Sequence, residues 1–470
     1  MMLHSTAAAP AITEELLRRL DKPGPRYTSY PTADRFVDAF GPAQYAQALC
    51  QRAEGAGAIG GSQPLSLYVH IPFCESVCYY CACNKVVTRN HGRAAEYLDA
   101  LEREIDLHVA WLGAGQPVSQ LHFGGGTPTF LDDAELTRLM ATLRKAFRLL
   151  PEAEIAIEVD PRTVSTARLE HLAGLGFNRM SFGVQDFDPA VQQAVHRVQS
   201  YDSVASLMQS ARTLGFESTN VDLIYGLPKQ TATSLRRTVQ QVVELRPARV
   251  ALYSYAHLPQ RFKPQRRIDA ADLPPAAERV RMLAEGINGF IAHGYEYIGM
   301  DHFALPGDAL AKAKRVGRLH RNFQGYSTQP DCDLIGLGVS SIGRVGATYS
   351  QNVKTPPEYY DALRHGQLPV ARGLTLTRDD VVRRAVIMAL MCQGRVAFES
   401  IEVAHLVDMK RYFAPELEHL REHAASGLVR LDADGIELTP LGWYFVRAVA
   451  MVFDRHLQTD RAREQFSRVV

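Results

Sequence analysis

The sequence predicts an α/β protein: a β/α barrel, complete or partial, with an N-terminal extension before it and a mostly helical domain after it. Short apolar runs alternate with helical patterns from Leu65 to about Gly343, as parallel βαβ units require. From about Leu374 the alternation stops, and helical segments lead into a hairpin. The 470 residues are 46% hydrophobic with a formal net charge of +1, enough for two or three domains around a large core. The same figures exclude a disordered chain, and one built on a global cationic field for nucleic acid or anionic lipid.

Residues 1–62 form the expected extension. Thr13–Leu20 suits a short helix, but Pro23, Gly24, Pro25 and Pro31 turn the next stretch into an extended strap. Glycine-rich Gly55–Ser62 reads as a connector, which opens the second domain at residue 63. Within 63–373 the apolar runs Leu65–His70, Gln120–Phe123, Glu154–Val159, Arg179–Val184, Thr219–Ile224, Arg249–Tyr255 and Tyr295–Ile298 are the expected strands. Tyr97–Leu112, Leu136–Leu150 and Ala167–Leu175 show helical spacing between them, with Gly176 as the left-handed residue closing the last. Seven or so such units fit a barrel better than an open sheet.

Residues 374–470 read as a winged-helix-like module. Thr377 is the expected N-cap of its first helix. Asp432–Gly435 joins Leu428–Leu431 to Ile436–Leu438 as a hairpin, before a helix from Pro440. This domain holds 13 Lys+Arg against 14 Asp+Glu, a poor match for a phosphate-binding regulator. A lid or packing domain is the better reading, and no nucleic-acid partner is expected. No apolar run approaches the 18 residues of a spanning helix, and the N-terminus lacks a secretory apolar core. A cytoplasmic monomer without membrane insertion is the expectation.

Seven cysteines are present, and Cys74, Cys78, Cys81 and Cys83 fall within ten residues. A disulfide framework would spread its cysteines over a small secreted fold, so this crowding points to metal or redox chemistry. Cys74, Cys78 and Cys81 have C-x3-C-x2-C spacing just after the first apolar strand, where barrel enzymes place their chemistry. Three thiolates can hold three irons of a cubane [4Fe–4S] cluster and leave the fourth open. The amino and carboxylate groups of S-adenosylmethionine can chelate that iron. Structural zinc is the alternative, but it favours two separated cysteine pairs, and no second pair follows Cys81 and Cys83. Cys83 is expected to be a non-ligand near the site that shapes the substrate pocket. The Tyr80 ring is expected to pack on adenine.

His122–Thr129 (HFGGGTPT) follows the next strand. Its three glycines let the backbone approach a ligand closely, here the methionine end of S-adenosylmethionine. It lacks the helix-opening G-x-G-x-x-G of a dinucleotide site. Polar residues end the strands that follow: Glu158 and Asp160, Gln185 and Asp186, Asp222, and His257, with Arg197 in a helical stretch. Singly each is more often a cap or surface residue. Together they ring the C-terminal mouth that a β/α barrel uses for catalysis.

The cysteine motif resembles that of the radical SAM superfamily. Longer strings resemble the oxygen-independent coproporphyrinogen III oxidases within it: Gly124–Thr129, Glu158–Arg162, Gly183–Phe187, Val221–Gln230, Tyr255–Pro259, Gly299–Phe303 and Leu319–Tyr326. Arg26–Ala33 and Gln465–Val469 extend the match to nearly the whole chain. A radical SAM haem chaperone, the alternative, usually lacks the N-terminal segment, the cysteine in the C-x-C position and the NFQGY string. All three are here, as Arg26–Ala33, Cys83 and Asn322–Tyr326. A haem-modifying radical SAM enzyme is the other alternative.

The resemblance implies a radical SAM β/α barrel with one [4Fe–4S] cluster on Cys74, Cys78 and Cys81, and two S-adenosylmethionine molecules. The cluster-bound one would contact Tyr68, Tyr80, Gly125, Glu158 and Ile342; family members often carry Phe where Tyr80 stands. The second would contact Gly126, Thr127, Gln185, Arg197, Asp222 and Ala256, with Phe323 and Gln324 closing over it. Tyr68 and Cys83 are the expected catalytic positions. The implied substrate is coproporphyrinogen III. Two of its propionates become vinyls with loss of CO2, giving protoporphyrinogen IX in porphyrin biosynthesis through a 5′-deoxyadenosyl radical. A low-potential donor such as a flavodoxin or ferredoxin would supply the electron. The strap at Arg26–Ala33 is expected to close over the barrel mouth, with Arg26 toward a propionate and the Tyr27 and Tyr30 rings toward the macrocycle.

Overall fold

The computed structural model describes residues 24–55 and 63–458. The expected helix at Thr13–Leu20, most of the connector Gly55–Ser62 and the string Gln465–Val469 lie outside the described residues. The chain forms two compact units: Ala33–Pro274 with Gln329–Leu376, and Met1–Thr32 with Pro275–Thr328 and Thr377–Val470.

In the first unit six strands run parallel: β1 (Leu65–Ile71), β2 (Gln116–Gly125), β3 (Phe147–Val159), β4 (Arg179–Gln185), β5 (Ser218–Tyr225) and β6 (Arg249–Ser254). Helices Gly92–Leu112, Asp133–Ala146, Thr166–Gly174, Tyr201–Thr213 and Ala232–Leu245 connect them in turn. Strands covered on both faces must be apolar nearly throughout, and in β1 every residue but Tyr68 is buried. On the other side of β1 lies the parallel β7 (Leu334–Leu337). Next come β8 (Ile342–Val345), β9 (Thr348–Asn352) and β10 (Val370–Thr375), all antiparallel. The order within the unit is β10-β9-β8-β7-β1-β2-β3-β4-β5-β6, a partial barrel of β/α units extended by a meander.

Two expectations are corrected. The seventh run is not a parallel β/α strand: Glu296–Gly299 belongs to the second unit and pairs antiparallel with His302–Ala304. Met300 and Asp301 between them take φ of 44° and 65°, the left-handed pair of a two-residue hairpin. Met-Asp carries too weak a turn signal for that geometry to be read. The helix expected over Leu136–Leu150 stops at Ala146, and Phe147–Leu149 pair with Gln116–Val118 as strand. Pro151 steers the residue before it out of the helical region.

The long helix Gly92–Leu112 ties the meander to β1. Tyr97 and Glu104 stand two turns apart on one face of it. The Tyr97 hydroxyl donates to His70 O at 2.7 Å and accepts from Val339 N at 3.1 Å. The buried Glu104 carboxyl accepts from Gly338 N at 2.7 Å, and from Asn352 Nδ2 and the Tyr359 hydroxyl at 2.6 Å each. Gly338 has φ +92°, and a Cβ there would lie 2.4 Å from the Tyr97 hydroxyl and 2.7 Å from His70 O. Glycine is the residue that fits.

In the second unit Thr377 caps Arg378–Gln393 through a reciprocal pair with Asp380. Val429–Leu431 and Gly435–Leu438 form the expected hairpin, joined by Arg395–Ala397 in a three-stranded sheet. The strap residues are part of this unit. Tyr27 and Tyr30 are fully buried. The Tyr27 hydroxyl donates to Asp454 Oδ2 at 2.9 Å, the Tyr30 hydroxyl accepts from Arg455 N at 3.2 Å, and Arg447 donates to the Gly24 and Pro25 carbonyls. The two rings are core residues, so they are not the aromatic surface expected for a macrocycle. Arg26 pairs with Asp301 at 3.6 Å.

Candidate active site

The loop after β1 leaves the sheet at Pro72 and returns through a short parallel pair, Phe73–Cys74 with Val86–Val87. Val86 N donates to Pro72 O at 2.7 Å and Thr88 N to Cys74 O at 2.8 Å, closing the base of the cysteine loop. The glycine loop after β2 is pinned to the same base: Gly126 N donates to Ile71 O and Thr127 N to Phe73 O, each at 2.8 Å. A Cβ on Gly126 would lie 2.7 Å from Phe73 O, and one on Gly125, at φ +115°, 2.7 Å from the His70 ring. The glycines are therefore needed for packing of one loop on the other, as well as for ligand approach.

Both loops and the ends of β3, β4 and β5 line one pocket of about 310 Å³. Cys74, Cys78, Cys81, Cys83, Tyr80, Gly125, Gly126, Thr127, Glu158, Gln185, Arg197 and Asp222 all line it. Tyr68 and Ile342 are not among the lining residues, nor is Ala256. Tyr68 stacks on His122 with centroids 5.9 Å apart and lies behind Gly124, whose Cβ would meet Tyr68 at 3.1 Å and Glu158 at 2.8 Å. Ala256 offers its carbonyl to Gln265 Nε2 at 3.2 Å, and the same amide donates to Tyr80 O at 3.0 Å. Ile342 opens β8, its carbonyl 2.7 Å from where a Cβ on Gly336 would stand. Phe323 and Gln324 form the turn of the hairpin His320–Asn322 with Gly325–Ser327 in the second unit.

Charge is distributed unevenly around the thiols. Burial pushes the Cys74 thiol up to about 11, against the Thr127 hydroxyl that donates to it at 3.5 Å. The side-chain hydrogen bond between Cys83 and Cys81 draws Cys81 down and Cys83 up. Lys85 Nζ donates to the Cys81 carbonyl at 3.3 Å. Cys78 Sγ lies 3.6 Å from Arg162 Nη2 and 3.4 Å from Arg197 Nη1. Across the pocket Glu158 meets His122 Nε2 at 3.2 Å and accepts from Gly125 N at 3.3 Å. Burial lifts Asp222 to about 6, although Ser181 Oγ and Asn220 Nδ2 donate to it at 2.7 and 2.8 Å.

Sequence reasoning gave no role to His122, Lys85 or Arg162. All three lie in or beside the motifs; His122 and Arg162 make their contacts across the fold, while Lys85 turns back onto the carbonyls of its own loop. Among the described residues no three His, Cys, Asp or Glu side chains close on the coordination sphere of a single ion. A cubane asks for less convergence, since each thiolate binds its own iron.

The family model described as the radical SAM superfamily matches residues 68–242, and that described as the HemN C-terminal domain matches residues 376–445. The chain is 50% identical over 458 residues to the oxygen-independent coproporphyrinogen III oxidase of Pseudomonas aeruginosa, covering 97% of this chain and 98% of that one. To the Escherichia coli protein of the same name it is 48% identical over 455 residues, again covering 97% and 98%. The solved structure of the Escherichia coli coproporphyrinogen III oxidase (HemN), described as a radical SAM enzyme, superposes with a TM-score of 0.88 at 48% identity. That match covers 92% of this chain and 97% of the other.

Proposed function

The chain belongs to the oxygen-independent coproporphyrinogen III oxidases of the radical SAM superfamily, and from that premise we propose how its residues divide the work. It is an oxygen-independent coproporphyrinogen III oxidase of porphyrin biosynthesis, using a [4Fe–4S] cluster and S-adenosylmethionine. The observation that carries this reading is the meeting of the cysteine loop and the glycine loop in one pocket, with charged groups from the ends of β3 to β5 in the same lining. The donor set fits the cofactors: three thiols for three irons and one position left open. When bound, the cluster supplies the electron for reductive cleavage of S-adenosylmethionine, and the pair supplies the hydrogen-abstracting radical that begins propionate oxidation.

Cys74, Cys78 and Cys81 hold the cluster, and Cys83 shapes the pocket beside it. Gly125, Glu158 and Tyr80 would hold the first S-adenosylmethionine, Tyr80 offering its ring to the adenine, with Tyr68 and Ile342 standing beside the lining. A second molecule is held by Gly126, Thr127, Gln185, Arg197 and Asp222, with Ala256 beside the lining. An extension over 1–62, a catalytic barrel over 63–373 and a helical domain over 374–470 divide the chain by function. The electron comes from a flavodoxin or ferredoxin, and the enzyme works as a cytoplasmic monomer. Among the described residues no helix is long and apolar enough to cross a membrane.

Reduced, reconstituted protein incubated anaerobically with S-adenosylmethionine and coproporphyrinogen III is expected to yield protoporphyrin after oxidation. No protoporphyrin from cluster-loaded protein would overturn the reading. Equilibrium binding is expected to show about two S-adenosylmethionine per chain, where the open iron alone accounts for about one. Asp222→Ala is expected to lose the second. If it binds both and turns over normally, Asp222 is not in that site.

A further inference from the structure

Arg162 follows β3 in the single turn Pro161–Thr163, capped by Asp160. Asp160 Oδ1 accepts from Arg162 N at 3.1 Å and Nε at 3.0 Å, and Oδ2 accepts from Nη2 at 2.6 Å. This fork fixes the guanidinium plane. It aims Nη2 at Ser76 Oγ, 3.2 Å away, and at Cys78 Sγ, 3.6 Å away. Arg197 meets the same sulfur. Its Nη1 donates to Cys78 Sγ at 3.4 Å and to Asp160 Oδ2 at 3.2 Å, while Nε donates to Gly183 O at 3.1 Å. One carboxylate thus bridges two guanidiniums, and their positive charge exceeds its negative charge.

The other two ligand positions differ. Cys74 Sγ receives the neutral Thr127 hydroxyl, and Lys85 reaches the carbonyl of Cys81. The Arg162, Arg197 and Asp160 side chains are 19%, 7% and 9% exposed, so solvent ions screen their charges little.

We infer that Arg162 is a redox-tuning residue: it donates to the Cys78 ligand sulfur and makes the cluster easier to reduce. The inference rests on the cluster assignment above. Reduction of the bound cluster adds one electron from the reductant and no proton, so the site gains one negative charge. A hydrogen bond to a ligand sulfur and a buried cation beside it both favour the more negative state. Asp160 works against this charge while holding the fork in place. Arg162 acts through the sulfur, so its effect is read as a potential before it is read as a rate.

The test is a redox titration of reconstituted protein without S-adenosylmethionine, followed by electron paramagnetic resonance. Arg162→Met is expected to keep the cluster and to lower the reduced-to-oxidised ratio about tenfold at the native midpoint, a shift of about 59 mV for one electron. Arg162→Lys, which keeps the charge, is expected to recover most of that loss. Arg162→Gln, which removes the charge and keeps a donor, is expected to shift the ratio in the same direction as Arg162→Met but by less, and it decides the matter if Arg162→Met fails to assemble a cluster. An Arg162→Met titration superimposable on the native curve overturns the inference, as does Arg162→Gln moving toward easier reduction. A native protein that holds no cluster would instead sink the assignment on which the inference stands.

Discussion

Cys74→Ser, Cys78→Ser and Cys81→Ser are each expected to remove the visible absorption of the cluster and reduce turnover at least about 100-fold, while Cys83→Ser keeps the cluster. A serine hydroxyl at a ligand position stays protonated where a thiolate is needed, so one iron loses its anchor. The three positions are held by different neighbours: Cys74 by Thr127, Cys78 by two guanidiniums, Cys81 by Cys83. No neighbour offers a replacement thiolate except Cys83, and it already hydrogen-bonds Cys81. Cys83→Ser is therefore expected to leave iron and sulfide content unchanged and to lower turnover from the pocket side. Iron and sulfide analysis with the reduced-state paramagnetic signal decides this. A Cys83→Ser protein without cluster beside a Cys81→Ser protein that retains it would reassign the third ligand.

Glu104→Ala is expected to cost about 4 kcal/mol of stability. The substitution leaves the Gly338 amide and the Tyr359 hydroxyl without this acceptor, while Asn352 Nδ2 keeps Gly338 O at 2.9 Å and Ser341 Oγ at 3.1 Å, and each buried orphan costs about 1–3 kcal/mol. The native carboxyl also carries a pH signature. Burial, opposed by these three donors, raises Glu104 from 4.5 to about 7. The folded chain keeps a proton that the unfolded chain releases. This contribution is full below about pH 4.5 and is lost as pH rises through 7. Glu104→Gln has no such titration, so the gap in melting temperature between it and the native protein is expected to narrow from pH 5 to pH 8. A gap that widens would contradict the raised carboxyl.

Strand β1 was legible because a buried parallel strand leaves a continuous apolar run, which needs no partner to be seen, whereas β4 and β5 alternate buried and half-buried residues and were legible as short β-prone runs between helical patterns. The cysteine motif was legible for a similar reason, since its meaning lies in local spacing. Features set by distant residues were not. Phe147 becomes strand because Gln116 is beside it, and no helical period carries that information. Tyr27 and Tyr30 look like free aromatic surface until Asp454 and Arg455 are placed against them. Arg162 and His122 were within view as letters of the motifs, yet their contacts with Cys78 and Glu158 depend on how β2 and β3 bring the loops together. The implied contacts of Tyr68, Ala256 and Ile342 came from family likeness, and these residues stand beside the pocket lining, not in it.

The second unit gathers the first residues of the chain, a middle stretch and the last, and this sets an order on its birth. Tyr27 leaves the ribosome 427 residues ahead of Asp454. At translation rates of about 5–20 residues per second, that is a wait of roughly 20–90 s. The cysteine loop and both edges of its sheet are complete once Leu376 has emerged. The cluster-binding unit is therefore finished while the strap still has nothing to bury its two rings. A nascent chain carries Tyr27 and Tyr30 without these burial partners for most of its synthesis. A chain cut short before Arg447 lacks both the donor to the Gly24 and Pro25 carbonyls and the acceptor of the Tyr27 hydroxyl.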